Sequence, residues 1–370
     1  MRLLHFTCTY IKQSDSRYLN MKKIITPVLK YIIDNVKRNK FVQDVFESPI
    51  NLTKFGVMGN FKDSQGTTHT LYDNLRTKIK PTWKKSLSDK KPEVGDLNIA
   101  KLKEISLLQM DKVEKILNTY GKSIKNSDII EIGCHSGANS LAMAEFGASS
   151  VRGTEFNGYK VSSLSSEDAN DVSKLKEVDE FLEGVRARLK KEYALEKNNI
   201  EFLNDDICNS KLNPNSADVI CSWDVLEHLH DPQGAFDSFY EILKEGGMVV
   251  HHYNPFFSLN GGHSMCTLDF LWGHCRLSDQ DFEKYVKEIR PNEVEKALSF
   301  YRDGLNRMTL ADLNEIVVKS GMKVLGIVPM IKEQHFRMVD ADILNQTSKL
   351  YPNLEINDLI APNVIVIAQK

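Results

Sequence analysis

The feature that most constrains the fold is a regular alternation of strand-like and helix-like patterns, which begins near residue 101. The strand-like runs include DIIEIG, SVRGTEF, NIEFLNDD and ADVICSW, and longer runs of helical periodicity separate them. Such alternation builds successive βαβ units, which form a mainly parallel sheet with helices on both faces. Two closing runs, MKVLGIVP and NVIVIAQ, predict a final antiparallel hairpin on this sheet. We therefore expect an α/β domain over residues 101–370.

The first hundred residues follow a different pattern and are expected to form a helical and loop extension, residues 1–100. Residues 21–43 place apolar side chains on one helical face and lysines around the rest. This helix would either cover the main domain or a dimer partner, or lie on an anionic membrane surface. Residues 44–97 show little periodicity and predict loops and short helices.

Composition excludes several classes of protein. The 370 residues are 41% hydrophobic and carry a net charge of −2, which is ordinary for a globular protein and gives no electrostatic argument for nucleic acid as a partner. The six cysteines form no CxxC pair, which favours free thiols in a reducing compartment. No apolar run approaches the roughly 18 residues that span a bilayer. These observations predict a cytoplasmic protein, and they leave its oligomeric state open.

A glycine turn, EIGCHSGANS, joins the first strand of the domain to its helix and includes Gly133 and Gly137. It lacks the Lys-Ser or Lys-Thr of a phosphate-binding P-loop, and His135 occupies the middle glycine position of a dinucleotide fingerprint. A nucleoside ligand without a pyrophosphate, such as S-adenosylmethionine, fits the turn better. A sharp corner between a strand and a helix can need glycines even where no ligand binds. The turn alone therefore does not show whether a nucleoside binds there.

Carboxylates at the ends of the next two strands favour the nucleoside. Glu155 ends the second strand, where a carboxylate can accept hydrogen bonds from both ribose hydroxyls. Asp206 ends the third, where it can accept from an adenine amino group while the N–H of Ile207 meets a ring nitrogen. The carboxyl ends of parallel strands share one sheet edge, so these residues are expected to lie together.

This spacing resembles that of class I S-adenosylmethionine-dependent methyltransferases, in particular the branch with the ubiquinone-biosynthesis O-methyltransferases. The resemblance covers roughly residues 101–257 and the two closing strands. It implies a Rossmann-like sheet of seven strands, S-adenosyl-L-methionine as cofactor, and an insertion after the fifth strand. It also implies a role for Trp223 beside the sulfonium, and a pocket for the methionine part of the cofactor that is shaped by Glu131, Gly133 and Gly137.

Three residues just past the fourth strand, Asp224, Glu227 and His228, are the first candidates for chemistry. On a helix that starts at residue 224 they share one face. They would bind Mg²⁺ or Zn²⁺, or His228 would remove a proton from the acceptor. The pattern D-x-x-E-H resembles the E-x-x-E-H of metal-using members such as small-RNA 2′-O-methyltransferases. A purely structural role, with Glu227 and His228 bonded to backbone, is the alternative.

The insertion after the fifth strand, residues 255–305, is expected to form the acceptor pocket and its lid. His263 and Trp272 are its candidate acceptor contacts, Gly261-Gly262 its candidate hinge, and Arg290 and Arg302 candidate partners of an anionic acceptor. Its aromatic residues would otherwise form a small core. A zinc site of His263, Cys266, His274 and Cys275 fits no standard spacing.

The predicted function is O-methylation of a small molecule or glycan. An RNA 2′-O-methyltransferase with a metal site is the first alternative, although the near-neutral charge argues against it. An NAD-dependent oxidoreductase would lack the Asp206 equivalent and the closing hairpin. A non-catalytic binding protein of the same fold is disfavoured by the intact cofactor positions.

Overall fold

A computed structural model describes residues 49–87, 93–157, 172–194 and 199–370, with side chains of the third range described from residue 176. The predicted helix over residues 21–43 lies outside these ranges. Within them, no helix is long and apolar enough to cross a membrane.

The predicted seven-stranded sheet is confirmed. Its spatial order is β5-β4-β3-β6-β7-β9-β8; the first five of these strands run parallel, and β9 pairs antiparallel with both β7 and β8. The closing hairpin is therefore also confirmed. The strands are β3 (Asp128–Ile132), β4 (Ser150–Glu155), β5 (Ile200–Asn204), β6 (Ala217–Trp223), β7 (Leu243–Tyr253), β8 (Lys323–Pro329) and β9 (Val364–Gln369).

Helices cover both faces of this sheet, and each face has its own hydrophobic core. On one face α3 (Ile99–Thr119), α4 (Ala138–Glu145) and α5 (Val172–Tyr193) pack together. On the other face α6 (Pro232–Ile242) packs against α11 (Leu310–Lys319). The three layers follow from the sequence, because the central strands carry apolar residues on both faces.

The segment before the domain contains a hairpin where loops and short helices were expected. Strands β1 (Val57–Lys62) and β2 (Thr68–Tyr72) pair antiparallel, and the short helices α1 (Leu75–Ile79) and α2 (Trp83–Ser86) follow. Asp281 of the insertion accepts hydrogen bonds from the backbone and hydroxyl of Ser64 in the hairpin turn. Each strand buries only one face, and the pairing register shifts between Val57 and Gly59. The alternating pattern is therefore too short to recognise in the sequence.

A third core joins this hairpin to the insertion. Phe61, Leu71 and Leu75 pack in one cluster with Phe256, Trp272 and other residues of the insertion. The insertion continues with short helices up to residue 305, α11 then leads to β8, and α12, α13 and α14 connect β8 to β9. The helices are α7 (His263–Cys266), α8 (Gly273–Arg276), α9 (Asp279–Ile289), α10 (Val294–Asp303), α12 (Glu333–Phe336), α13 (Ala341–Leu350) and α14 (Ile356–Ile360).

Candidate functional site

The glycine turn lies between β3 and α4, and its glycines are required by the backbone. Gly133 and Gly137 have φ of 66° and 72°, in the left-handed region that favours glycine. A Cβ on Gly133 would lie 2.5 Å from Val225, and one on Gly137 would lie 2.5 Å from the Phe202 ring. Packing by these neighbours therefore accounts for both glycines without a ligand, and a role in the cofactor pocket stays a prediction.

Glu131, the last carboxylate of β3, lies beneath this turn. The side chain is buried and accepts a hydrogen bond from the Ser140 hydroxyl in α4. Burial raises the pKa of Glu131 to about 7, against the opposing hydrogen bond from Ser140. The residue thus ties strand to helix at the predicted methionine end of the cofactor pocket.

Glu155 and His135 connect the turn to the end of β4. The backbone N–H of His135 donates to the Glu155 carboxylate, and the His135 carbonyl accepts from Arg186 at 2.7 Å. His135, which replaces the middle glycine of the dinucleotide fingerprint, has a φ of 45°. These two hydrogen bonds hold it in that conformation. The Glu155 side chain is 7% exposed, at the carboxyl edge of the sheet.

Asp206 lies at the same edge, directly after β5. It caps the 3₁₀ turn Ile207–Asn209 by accepting from the Cys208 N–H at 3.1 Å, and the Ile207 side chain is buried. The structure adds His230, whose Nε2 lies 3.7 Å from the Asp206 carboxylate, and Phe156, whose ring centroid lies 6.0 Å from that of His230. The sequence reasoning missed both aromatic neighbours.

The helix predicted to start at residue 224 is absent. The prediction that Asp224, Glu227 and His228 share one helical face was therefore wrong. Asp224 has a φ of 53°, and its N–H donates to the His252 carbonyl at 2.8 Å, which extends the sheet by one residue beyond Trp223. A single 3₁₀ turn, Leu226–His228, follows. Asp224 therefore faces outward with a 64% exposed side chain, 4.0 Å from the His252 ring.

The structure instead brings Glu227 and His228 together with His263 from α7. One ligand atom from each lies within 4.8 Å of the others. His228 Nδ1 is 2.5 Å from the Gly304 carbonyl, so that nitrogen carries the proton and Nε2 has the lone pair. The Glu227 carboxylate is 3.9 Å from His263 Nε2, and Glu227 Oε1 accepts from the Asn254 N–H at 3.2 Å. We call these three residues the Glu227 cluster.

Burial sets the protonation of this cluster. It raises the pKa of Glu227 well above its usual range, and Asp224 adds to the rise. It lowers the pKa of His228 to about 4, and that of His263 well below the usual range of imidazoles. Glu227 Oε2 and His263 Nε2 are buried and have no hydrogen-bond partner among the described residues. At neutral pH the cluster therefore offers neutral imidazoles beside a carboxyl group.

Most of the remaining insertion residues are structural, which corrects several expectations. Trp272 is 1% exposed and donates to the Leu359 carbonyl at 3.2 Å, and His274 bonds the Phe256 carbonyl. Arg290 is buried and pairs with Asp269 at 2.7 Å, while Arg302 pairs with Glu283 on the surface. These side chains are occupied by protein partners because the insertion has its own core.

The expected glycine hinge is also wrong. Gly261 and Gly262 are buried, and a Cβ on Gly261 would lie 2.2 Å from the carbonyl oxygens of Pro255 and Phe256. The glycines permit two backbone segments to pack closely. The zinc set of His263, Cys266, His274 and Cys275 is not among the residue groups that converge like metal ligands in the described ranges.

Lys80 is the residue near the cluster that sequence reasoning missed. It directly follows α1, in the segment before the domain. Burial lowers the pKa of Lys80, and the nearby carboxylates of Asp224 and Glu227 oppose that change. Its signal in the sequence is the stretch LRTKIKPTWKKSL, residues 75–87, which has five basic residues and no acidic one.

Residues 104–325 match a family model described as a methyltransferase domain. The match spans more than half of the chain and includes the glycine turn, the strand-end carboxylates and the Glu227 cluster. The chain belongs to this methyltransferase family. It is an S-adenosylmethionine-dependent enzyme of class I, as the sequence motifs implied. The family and the closing antiparallel strands decide against the NAD-dependent oxidoreductase and the non-catalytic binding protein.

Solved structures similar to this methyltransferase share little sequence with it. An S-adenosylmethionine-dependent methyltransferase from Mesorhizobium loti is 14% identical, with 69% of this chain and 96% of that chain covered and a TM-score of 0.40. Phosphoethanolamine N-methyltransferase 2 from Haemonchus contortus, in complex with S-adenosyl-L-methionine, is 18% identical, with 80% and 57% covered and a TM-score of 0.39. No curated protein sequence matches the chain significantly.

Proposed function

We propose that this methyltransferase methylates a hydroxyl oxygen of a small-molecule or glycan acceptor. The observation that carries the proposal is the Glu227 cluster, which lies past the carboxyl end of β6. A hydroxyl is a poor nucleophile until its proton is removed. A neutral imidazole can accept that proton, and a bound cation would lower the pKa of the hydroxyl so that the proton leaves more easily. A neutral amine is already nucleophilic, so a set of two partly buried imidazoles and a buried carboxyl group favours an oxygen acceptor.

The hydrogen-bonding groups at the sheet edge fit S-adenosylmethionine. Glu155 would accept from the ribose hydroxyls, and Asp206 with the Ile207 N–H would hold the adenine. Bound there, the cofactor supplies an electrophilic methyl group on a sulfonium. The other contacts that we propose are with its methionine part and sulfonium, from Glu131, Gly133, Gly137 and Trp223.

His228 and His263 would act on the acceptor, with Asp224 at the open rim of the site. The Gly304 carbonyl holds the proton of His228 on Nδ1, so its Nε2 can accept a proton. Methyl transfer needs the oxygen in line with the methyl and the sulfur, so positioning contributes much of the rate. Glu227 is buried and the His263 side chain is 18% exposed, so this point is largely shielded from water.

A divalent cation also fits the cluster. Two imidazoles and a carboxylate suit Zn²⁺ or Mn²⁺, and the buried Glu227 Oε2 and His263 Nε2 have no described partner that a cation would displace. Because the pKa of Glu227 is raised, a cation would have to displace the proton of this carboxyl group. The affinity of the cluster for the cation would therefore rise with pH. Either mechanism uses the same three side chains.

The first prediction tests this cluster by methyl transfer. Labelled S-adenosylmethionine would be offered to phenols, catechols, neutral glycans and a short RNA, with O-methyl products identified by mass spectrometry. We expect His228→Ala and His263→Ala to lower kcat about 10²-fold or more, with cofactor affinity nearly unchanged. Glu245→Gln, on an exposed residue near the opposite end of β7, is the matched control and should retain full activity.

Chelation separates the two mechanisms. If a cation activates the hydroxyl, EDTA abolishes turnover, and the electron paramagnetic resonance of Mn²⁺ shows an ion bound to the wild type but not to Glu227→Gln. If His228 acts alone as a base, EDTA has no effect. Full activity of both histidine variants, or methylation of nitrogen only, would contradict the proposal. Preferential methylation of the RNA would support the 2′-O-methyltransferase alternative.

A further inference from the structure

The segment before the domain is basic and packs against α7, the helix that supplies His263 to the Glu227 cluster. Residues 75–87 carry no acidic side chain, whereas the whole chain has a net charge of −2. The basic residues of the segment are Arg76, Lys78, Lys80, Lys84 and Lys85. A surplus of basic residues next to an active site attracts anionic ligands.

Contacts on both sides of Lys80 fix the segment against α7, the helix that starts at His263. Arg76 is 2% exposed and donates to the Ser264 carbonyl at 2.6 Å and to the Glu293 carboxylate at 2.8 Å. Its guanidinium also stacks 3.9 Å from the centre of the Trp83 ring. Helix α2, which begins at Trp83, packs against α7. Lys80 lies between these two anchors.

Lys80 differs from Arg76 in its partners. The Arg76 charge is balanced by Glu293 in a tight ion pair. Lys80 is half-buried and has no carboxylate within 4.0 Å among the described residues, although Asp224 and Glu227 lie close enough to influence it. Because Lys80 lies between two segments that pack on α7, its charge is near the Glu227 cluster and forms no tight ion pair with the described residues.

From this arrangement we infer that Lys80 binds an anionic group of the acceptor, a phosphate or a carboxylate, next to the hydroxyl that receives the methyl. The inference rests on the proposed function and narrows its acceptor class. Lys80 would fix one end of the acceptor while the Glu227 cluster holds the hydroxyl. The N-terminal segment then contributes a specificity residue to a site built by the methyltransferase domain.

The direct test uses inorganic phosphate as the probe and needs no known acceptor. Phosphorus NMR would follow phosphate binding to the full chain, saturated with S-adenosylhomocysteine, at constant ionic strength. We expect Lys80→Met to weaken phosphate binding about tenfold or more, and Lys80→Arg to retain most of it. Lys78→Met, on an exposed residue of α1, is the matched control. No phosphate binding by the wild type, or equal binding by Lys80→Met, would overturn the inference.

Acceptors that differ in one anionic group separate this inference from the proposed function. Catechol would be compared with its carboxylate derivative, and a neutral hexose with its phosphate ester. We expect the wild type and Lys78→Met to prefer the anionic member, and Lys80→Met to lose that preference. Equal use of both members by the wild type would overturn the role of Lys80 but leave O-methylation standing. Methylation of nitrogen with a Lys80-dependent anion preference would overturn only the proposed function. Competition by acetate would distinguish a carboxylate site from a phosphate site.

Discussion

Individual residues of the candidate site are held in unusual backbone conformations. Among the described residues, eight other than glycine have a positive φ, and they include His135, Asp224 and His263. Such conformations cost on the order of 1–3 kcal/mol each and persist where surrounding contacts enforce them. Here the enforcing contacts include the carboxylate of Glu155 for His135 and the carbonyl of His252 for Asp224. The backbone conformation therefore sets the direction of the His135 and Asp224 side chains.

Glu155 gives the prediction at this scale. We expect Glu155→Ala to weaken binding of S-adenosylhomocysteine by about 1.5–3 kcal/mol, because the ribose would lose hydrogen bonds to a charged group and the His135 N–H would lose its acceptor. Glu155→Gln keeps an acceptor oxygen and should lose less. Isothermal titration calorimetry measures the affinity, with Glu201→Ala on an exposed residue of β5 as control. Unchanged affinity in a folded Glu155→Ala variant would remove the ribose assignment.

The elements of the insertion act as a packed unit. Helices α7 to α10 are short, and their stability comes from packing around Phe256, Trp272 and Tyr301. The Phe282 and Tyr301 rings stack 3.8 Å apart between α9 and α10. The unit holds His263 beside Glu227 by its own core, so positioning of the acceptor would not need a flexible glycine hinge.

Gly261 tests this account of the insertion. We expect Gly261→Ala to lower the free energy of unfolding by about 2 kcal/mol or more, because the new methyl group would meet backbone carbonyls that cannot move independently. Gly95→Ala, at an exposed glycine with open space around it, should change stability by less than about 0.5 kcal/mol. Urea unfolding measures both. Equal stability of the two variants would show that the chain near Gly261 is loosely packed.

At the scale of the whole molecule, one hydrophobic core joins the segment before the domain to the insertion. The expected division into residues 1–100 and 101–370 stays a prediction. The hairpin, α1 and α2 pack on the insertion, and the backbone N–H of Tyr72 donates to the Asp269 carbonyl at 2.8 Å. The largely buried ion pair of Arg76 and Glu293 is one polar link between them.

Removing Arg76 tests that link. We expect Arg76→Met to destabilise the protein by about 3–5 kcal/mol, because it leaves the largely buried Glu293 carboxylate without its partner. Arg76→Met combined with Glu293→Gln should recover part of the loss. Arg302→Met removes an exposed pair with Glu283 and should cost less than about 1 kcal/mol. Similar urea midpoints for Arg76→Met and Arg302→Met would contradict a shared core.

The sequence by itself determined the sheet, the closing hairpin and the glycine turn, because these depend on periodicity and on residues adjacent in the chain. It also placed Glu155 and Asp206 at one edge, since parallel strands present their carboxyl ends together. Only the tertiary structure decided that Asp224 extends the sheet while Glu227 lies in a 3₁₀ turn beside His263, that Trp272 and Gly261 belong to a core, and that the segment with Lys80 packs beside the site. Those outcomes depend on contacts between segments far apart in the chain, whose packing no local pattern records.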